Sequence, residues 1–145
     1  MDLLPCASIK KQPGRRTVLL VEDEPFVREA TRNILESAGF VVFPVEDADQ
    51  ALRLYKEREH HVDLVMTDLI LPGRTGEQLA KELRECSPEL KVLITSGYSN
   101  AEFATEDLSS QTYFLSKPYS RRSLVDKVEK ILSPLPLYRA ATQAG

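Results

Sequence analysis

Tryptophan is absent from the 145 residues, and only two cysteines and two histidines occur. Cys6 and Cys86 are far apart in sequence, and neither has a His or Cys neighbour at metal-ligand spacing. They read as free thiols, and a disulfide framework or a zinc site is excluded. The adjacent His60 and His61 carry no recognisable partner and are given no role, nor is Met66. No apolar run approaches the ~20 residues of a membrane span. The N-terminus lacks the apolar h-region of a signal peptide, which points to the cytosol. A concentration of positive charge is missing too. The net charge is -3, and Lys10-Lys11 and Arg15-Arg16 fall in a polar, Pro-containing tail, so a direct nucleic-acid partner is disfavoured. No internal repeat or low-complexity tract is present.

What is there is an ordinary globular composition, 42% hydrophobic and 28% charged, with room for one domain and its core. Residues 1–16 carry Pro5, Pro13 and Gly14 and read as a tail or linker. Residues 133–145, with Pro134, Pro136 and an Ala-rich end, read as a C-terminal tail. The domain is therefore 17–132. Within it, apolar runs at 18–21, 40–45, 62–66, 90–95 and 112–115 show little in–out alternation, as strands buried on both faces do. Helical patterns lie between them. Phe26, Val27, Ala30, Ile34, Leu35 and Ala38 mark one helix face, closed by Gly39 at a C′ position. Asp47 with Gln50, and Thr75 with Gln78, fit helix starts with capping-box partners. Leu124, Val125, Val128, Ile131 and Leu132 form the stripe of a last helix, and 100–110 carries a weaker one, predicting a short helix. The whole predicts an α/β fold: a five-stranded parallel sheet with five helices in a three-layer, flavodoxin-like sandwich. Right-handed crossovers favour strand order 2-1-3-4-5, whose switch point lies between strands 1 and 3.

That order gives "LLVEDEP" its meaning. The first strand ends in Glu22-Asp23-Glu24, and the third, "DLVMTDL", ends in Asp68 beside it. Oxygen ligands without His or Cys suit a hard cation, which would offset the repulsion among these acids. The fourth strand ends "LITSGY" and brings Ser96 to the same rim; the fifth ends "FLSKPY" and brings Lys117. A carboxylate nucleophile, a metal, a hydroxyl and an ammonium are the parts that phosphoryl transfer needs. Each residue has an ordinary reading alone, as a solvated acid, a turn residue or a surface lysine. Four such readings would have to coincide at one sheet edge.

The pattern "VEDE…MTDLILPGRTG…ITSGY…FLSKPY" resembles the response regulator receiver domain of two-component signalling, over the whole of 17–132. The resemblance implies that Asp68 is the phosphoacceptor, taking a phosphoryl group from the phosphohistidine of a sensor histidine kinase or a histidine phosphotransfer protein. It implies Mg²⁺, with Mn²⁺ as a substitute, on the side chains of Asp23 and Asp68 and the backbone carbonyl of Ile70, with Glu22 acting through a bound water. It further implies that Lys117 contacts the phosphoryl group, that Lys117–Pro118 is cis, and that Ser96 and Phe114 form the switch. Such a domain is not an enzyme in the usual sense but promotes its own phosphorylation and dephosphorylation. Ile70 and Tyr98 occupy positions that tune hydrolysis in the family, and both are bulky, which predicts a shielded, slowly decaying acyl phosphate. Two departures stand out: the switch aromatic lacks a hydroxyl, and Thr75 stands where many relatives have an acid.

A flavodoxin-like cofactor binder would need a glycine- and hydroxyl-rich loop where "EDEP" stands. A haloacid-dehalogenase-like phosphatase would carry its nucleophile on strand 1. The alternative left open is a pseudo-receiver, an interaction module not controlled by phosphorylation. No output domain fits after the last helix, and "LLPCASIKKQPGRRTVLLVEDE" resembles the joint before a hybrid-kinase receiver. A hybrid sensor kinase fragment and a stand-alone regulator both remain open.

Overall fold

A computed structural model of the chain describes residues 15–58, 61–97 and 111–133. The main sheet is formed by β1 (Thr17–Val21), β2 (Val41–Val45), β3 (Leu64–Asp68), β6 (Lys91–Ser96) and β7 (Thr112–Ser116). Its order is β2-β1-β3-β6-β7, and every pairing is parallel. Counted within this sheet alone, that is the expected 2-1-3-4-5. Between β3 and β6 lies an extra two-stranded antiparallel hairpin, β4 (Ile70–Leu71) and β5 (Arg74–Thr75), that the apolar pattern did not announce. Its turn is Pro72-Gly73, and Gly73 has φ 84°, a left-handed conformation that costs a glycine little.

Four helices, not five, appear among the described residues: α1 (Pro25–Ser37), α2 (Ala48–Glu57), α3 (Gly76–Arg84) and α4 (Arg121–Leu132). The helix expected at 100–110 falls outside the described residues. None of the described helices is long and apolar enough to cross a membrane.

Strand side chains alternate between faces, and here both faces are covered. Leu19, Val21, Val65, Val92 and Ile94 pack with Ala51 and Tyr55 of α2 and Leu79 and Leu83 of α3. Val18, Leu20, Leu64, Met66 and Leu93 pack with Leu35 of α1 and Leu124, Val128 and Ile131 of α4. Two-sided burial is why the strands read as continuous apolar runs. Pro44, which cannot donate to a ladder, sits exposed in the edge strand β2, where a missing N–H is tolerated. The third strand begins two residues later than its apolar run; just before it, Asp63 accepts from the Thr17 N–H at 2.8 Å and donates its own N–H to the Thr17 carbonyl at 2.9 Å.

The caps follow their sequence signals with one change. Gly39 (φ 102°) donates to Glu36 and Phe40 donates to Leu35, a Schellman closure of α1. Thr75 and Gln78 form a full capping box. Asp47 caps α2 by accepting from Gln50 N, but the Gln50 side chain accepts from Glu46 rather than from Asp47. The α1 stripe is also corrected. Phe26 is 84% exposed and Ala30 is exposed; the buried positions are Thr31 and Leu35. The first turn of α1 overhangs the sheet's carboxyl edge, so Phe26 has no sheet beneath it. With Ile34, Lys117 and Tyr119 it lines a largely apolar groove of about 500 Å³.

Candidate functional site

Strand parity assembles the site. Leu20, Met66, Leu93 and Leu115 all lie on the α1/α4 face. Two residues further along each strand come Glu22, Asp68, Thr95 and Lys117, which therefore project to that same side of the sheet edge. The ladders carry the parity past the formal strand ends: Glu22 N–H donates to the Val45 carbonyl at 3.1 Å, and Lys117 N–H to the Ser96 carbonyl at 2.7 Å. Register then sets the neighbours. Asp68 pairs with Thr95, and the Thr95 hydroxyl donates to Asp68 Oδ1 at 2.9 Å.

Lys117 Nζ lies 2.7 Å from Asp68 Oδ1 and 3.1 Å from Glu22 Oε1. Glu22 and Asp68 are both buried. Carboxylate oxygens of Glu22, Asp23 and Asp68 all fall within 4.8 Å of one another. One ammonium cannot neutralise three acids. Burial first, and then the hydrogen bond and charge of Asp68, push Glu22 from its ordinary 4.5 up to about 7, against the Glu24 N–H and Lys117, which favour its ionised form. Burial works against the charge on Lys117, but Asp68 and Glu22 outweigh it and raise its pKa. The site thus holds an excess of negative charge, and its donor set is oxygen only. Both properties fit a hard divalent cation.

The supports are local. The Glu22 side chain accepts from Glu24 N–H at 3.1 Å, and its carbonyl accepts from Arg28 at 2.8 Å. The Lys117–Pro118 bond is cis, and next to it the hydroxyls of Tyr119 and Thr31 are hydrogen-bonded at 2.8 Å, tying the loop to α1. Below Asp68, the Gly76 N–H donates to the Leu69 carbonyl at 2.7 Å. A Cβ on Gly76 would overlap the Asp68 carbonyl oxygen, so only glycine permits this approach.

Ser96 is the half-buried last residue of β6, in register with Ser116; Phe114 packs on the α2/α3 core and is the register partner of Ile94. Ile70 begins the β4–β5 hairpin with its side chain 70% exposed. Tyr98 lies outside the described residues. Thr95 and Gly76 were missed in the sequence. A threonine inside "VLITS" reads as a strand former, and only the β3–β6 register reveals its contact.

With this geometry in hand, the chain can be placed. It belongs to the response regulator receiver domain family, whose sequence profile matches residues 18–129, and is a receiver domain of two-component systems. Over 120 residues it is 36% identical to the sensor kinase CckA of Brucella abortus (strain 2308), covering 82% of this chain and 13% of the kinase. It is 30% identical over 118 residues to the response regulator receiver protein CpdR of the same organism, covering 81% of this chain and 97% of CpdR. The crystal structure of the receiver domain from the hybrid histidine kinase CckA matches with a TM-score of 0.69 at 30% identity, covering 81% of this chain and 99% of that one. The chain therefore spans a small part of the sensor kinase and nearly all of CpdR.

Proposed function

We propose that this domain accepts a phosphoryl group on Asp68 from a phosphohistidine, borne by a sensor histidine kinase or a histidine phosphotransfer protein. The observation that carries the reading is the Lys117 ammonium held between Asp68 and Glu22, at 2.7 and 3.1 Å, in an acid-rich pit at the switch point of the sheet. An Asp68 carboxylate oxygen attacks phosphorus, an O–P bond forms, and the P–N bond breaks with its electron pair leaving on the imidazole. Lys117 and the Thr95 hydroxyl are placed to orient Asp68, and Lys117 then follows the charge onto a phosphoryl oxygen. Glu22, Asp23, Asp68 and the Ile70 carbonyl would hold Mg²⁺, or Mn²⁺ in its place. When bound, that ion supplies the charge that lets a phosphate approach carboxylates.

As Lys117 moves from Asp68 onto the phosphoryl group, Ser96 with Phe114 would relay the change to a partner-binding surface. Ile70 and Tyr98 would govern how long the phosphoryl group survives. With 70% of its surface free, the Ile70 side chain has room to fold over an acyl phosphate. The apolar groove of Phe26, Ile34 and Tyr119, opening beside Lys117, suits a protein partner presenting its histidine. A cytoplasmic setting follows from that kind of partner. The CckA and CpdR relatives support two settings equally, a receiver attached to a kinase and one acting alone.

Beryllofluoride, a phosphoryl mimic, tests this directly. In Mg²⁺ it is expected to bind the wild type and shift its thermal unfolding upward, and to leave Asp68→Asn unchanged. Equal shifts in both proteins would contradict the assignment. No binding by either would favour an interaction module not controlled by phosphorylation.

A further inference from the structure

The hairpin that follows Asp68 is too short to hold its shape alone, since two residues per strand are far below what an isolated hairpin needs. Its base is clasped by the Gly76–Leu69 hydrogen bond. Its far strand is fixed by Arg74. Nη1 of Arg74 lies 2.7 and 2.6 Å from the two carboxylate oxygens of Glu82 on α3, and Nη2 lies 3.1 Å from Asp49 Oδ1 at the start of α2. Arg74 is thus a three-way tie between β5 and two helices, with its side chain 25% exposed. Register places Leu71 opposite Arg74 and Ile70 opposite Thr75. Holding Arg74 therefore holds the strand that carries the Ile70 carbonyl.

We propose that Arg74 is a positioning residue for the cation site: by clamping β5 to Glu82 and Asp49 it fixes the Ile70 carbonyl relative to Asp68. This rests on the reading of Glu22, Asp23, Asp68 and Ile70 as the cation's ligands. Exposed and half-exposed ion pairs contribute little to global stability, typically under about 1 kcal/mol. Displacing one ligand, by contrast, acts on metal affinity directly, where supporting groups are worth roughly 10- to 100-fold. The clamp also makes the α2/α3 face, through Asp49 and Glu82, a place from which a bound partner could alter the site.

The test is calorimetric titration of Mg²⁺ into the 145-residue chain, beside thermal unfolding and amide exchange across 69–75. Arg74→Met keeps the aliphatic stem. It is expected to weaken Mg²⁺ binding roughly 3- to 10-fold, at or below the lower end of that range, to speed exchange in the hairpin, and to leave the unfolding midpoint nearly unchanged. Asp49→Asn, a surface change, should give a smaller loss of the same kind. The reversed pair, Arg74→Glu with Glu82→Arg, made together with Asp49→Asn so that the new carboxylate meets no like charge, should recover most of the affinity. Unchanged Mg²⁺ affinity in Arg74→Met overturns the proposal while the site reading stands. A loss that tracks a fall in the unfolding midpoint, unrepaired by the reversed pair, overturns it as well. A wild type that takes no Mg²⁺ overturns the site reading, and the clamp's role with it.

Discussion

The ammonium of Lys117, just past the end of β7, lies 2.7 Å from Oδ1 of Asp68 at the end of β3, although β6 stands between those two strands. It reaches across because Thr95, the β6 residue of the same parity, is short and spends its hydroxyl on the same oxygen. The pair orients Asp68, and removing one partner of a buried ion pair leaves the other uncompensated. Lys117→Met is therefore expected to lower stability in EDTA by roughly 1–3 kcal/mol, below the full cost of breaking a buried pair because Lys117 is partly exposed. Mg²⁺ should restore part of this. Urea unfolding with and without Mg²⁺ checks it, and an unaltered midpoint in EDTA would contradict the role given to the pair.

Glu22 sets the pH dependence of the metal-free protein. Its folded pKa of about 7 lies above its ordinary 4.5, so the folded state binds the proton more tightly. The associated stability is fully present below pH ~4.5 and is lost as pH rises through about 7. In EDTA the wild type should lose on the order of 1–3 kcal/mol between pH 5 and 8 from this group. Glu22→Gln should flatten that slope. A profile equally steep in the variant would assign the effect to other groups.

Gly76 meets the backbone of Asp68 too closely for any side chain. Gly76→Ala must push the Asp68 carbonyl or the start of α3 aside, and overpacking of this sort typically costs about 1–3 kcal/mol. Because the displaced atoms belong to Asp68, phosphoryl labelling should fall more than the stability loss explains. Denaturant unfolding and labelling measured on the same preparation separate the two.

Ile70 is expected to act on phosphoryl lifetime and not on its formation. Ile70→Asn puts an amide that can position water at the rim in place of an apolar cover, and should shorten the half-life of the acyl phosphate several-fold. Decay after removal of the phosphodonor measures it. A lifetime of seconds in the wild type, unchanged by Ile70→Asn or Tyr98→Glu, would rule out shielding by these two side chains.

The sheet was readable because β1, β3 and β6 are buried on both faces, and acids end the runs of β1 and β3 abruptly. Glu22, Asp23, Asp68 and Lys117 could be placed on one edge from strand order alone. The β4–β5 hairpin could not, since two-residue strands leave no period to detect and "LPGRT" reads as a plain turn. Arg74 is one of many surface arginines until α2 and α3 are docked beside it. Phe26 misled for a related reason: its spacing fits the α1 stripe, but its turn lies beyond the sheet it was expected to cover. What local pattern encodes was legible, and what depends on which elements meet was not.

The central claim is that Asp68 receives the phosphoryl group, and acetyl phosphate tests it without a cognate kinase. In the presence of Mg²⁺ the wild type should gain one acid-stable, base-labile phosphoryl group per chain, detected by intact mass and located to Asp68 by reductive cleavage. Asp68→Asn and EDTA should each abolish it. Equal labelling of wild type and Asp68→Asn, or none in the wild type with Mg²⁺ present, would contradict the account.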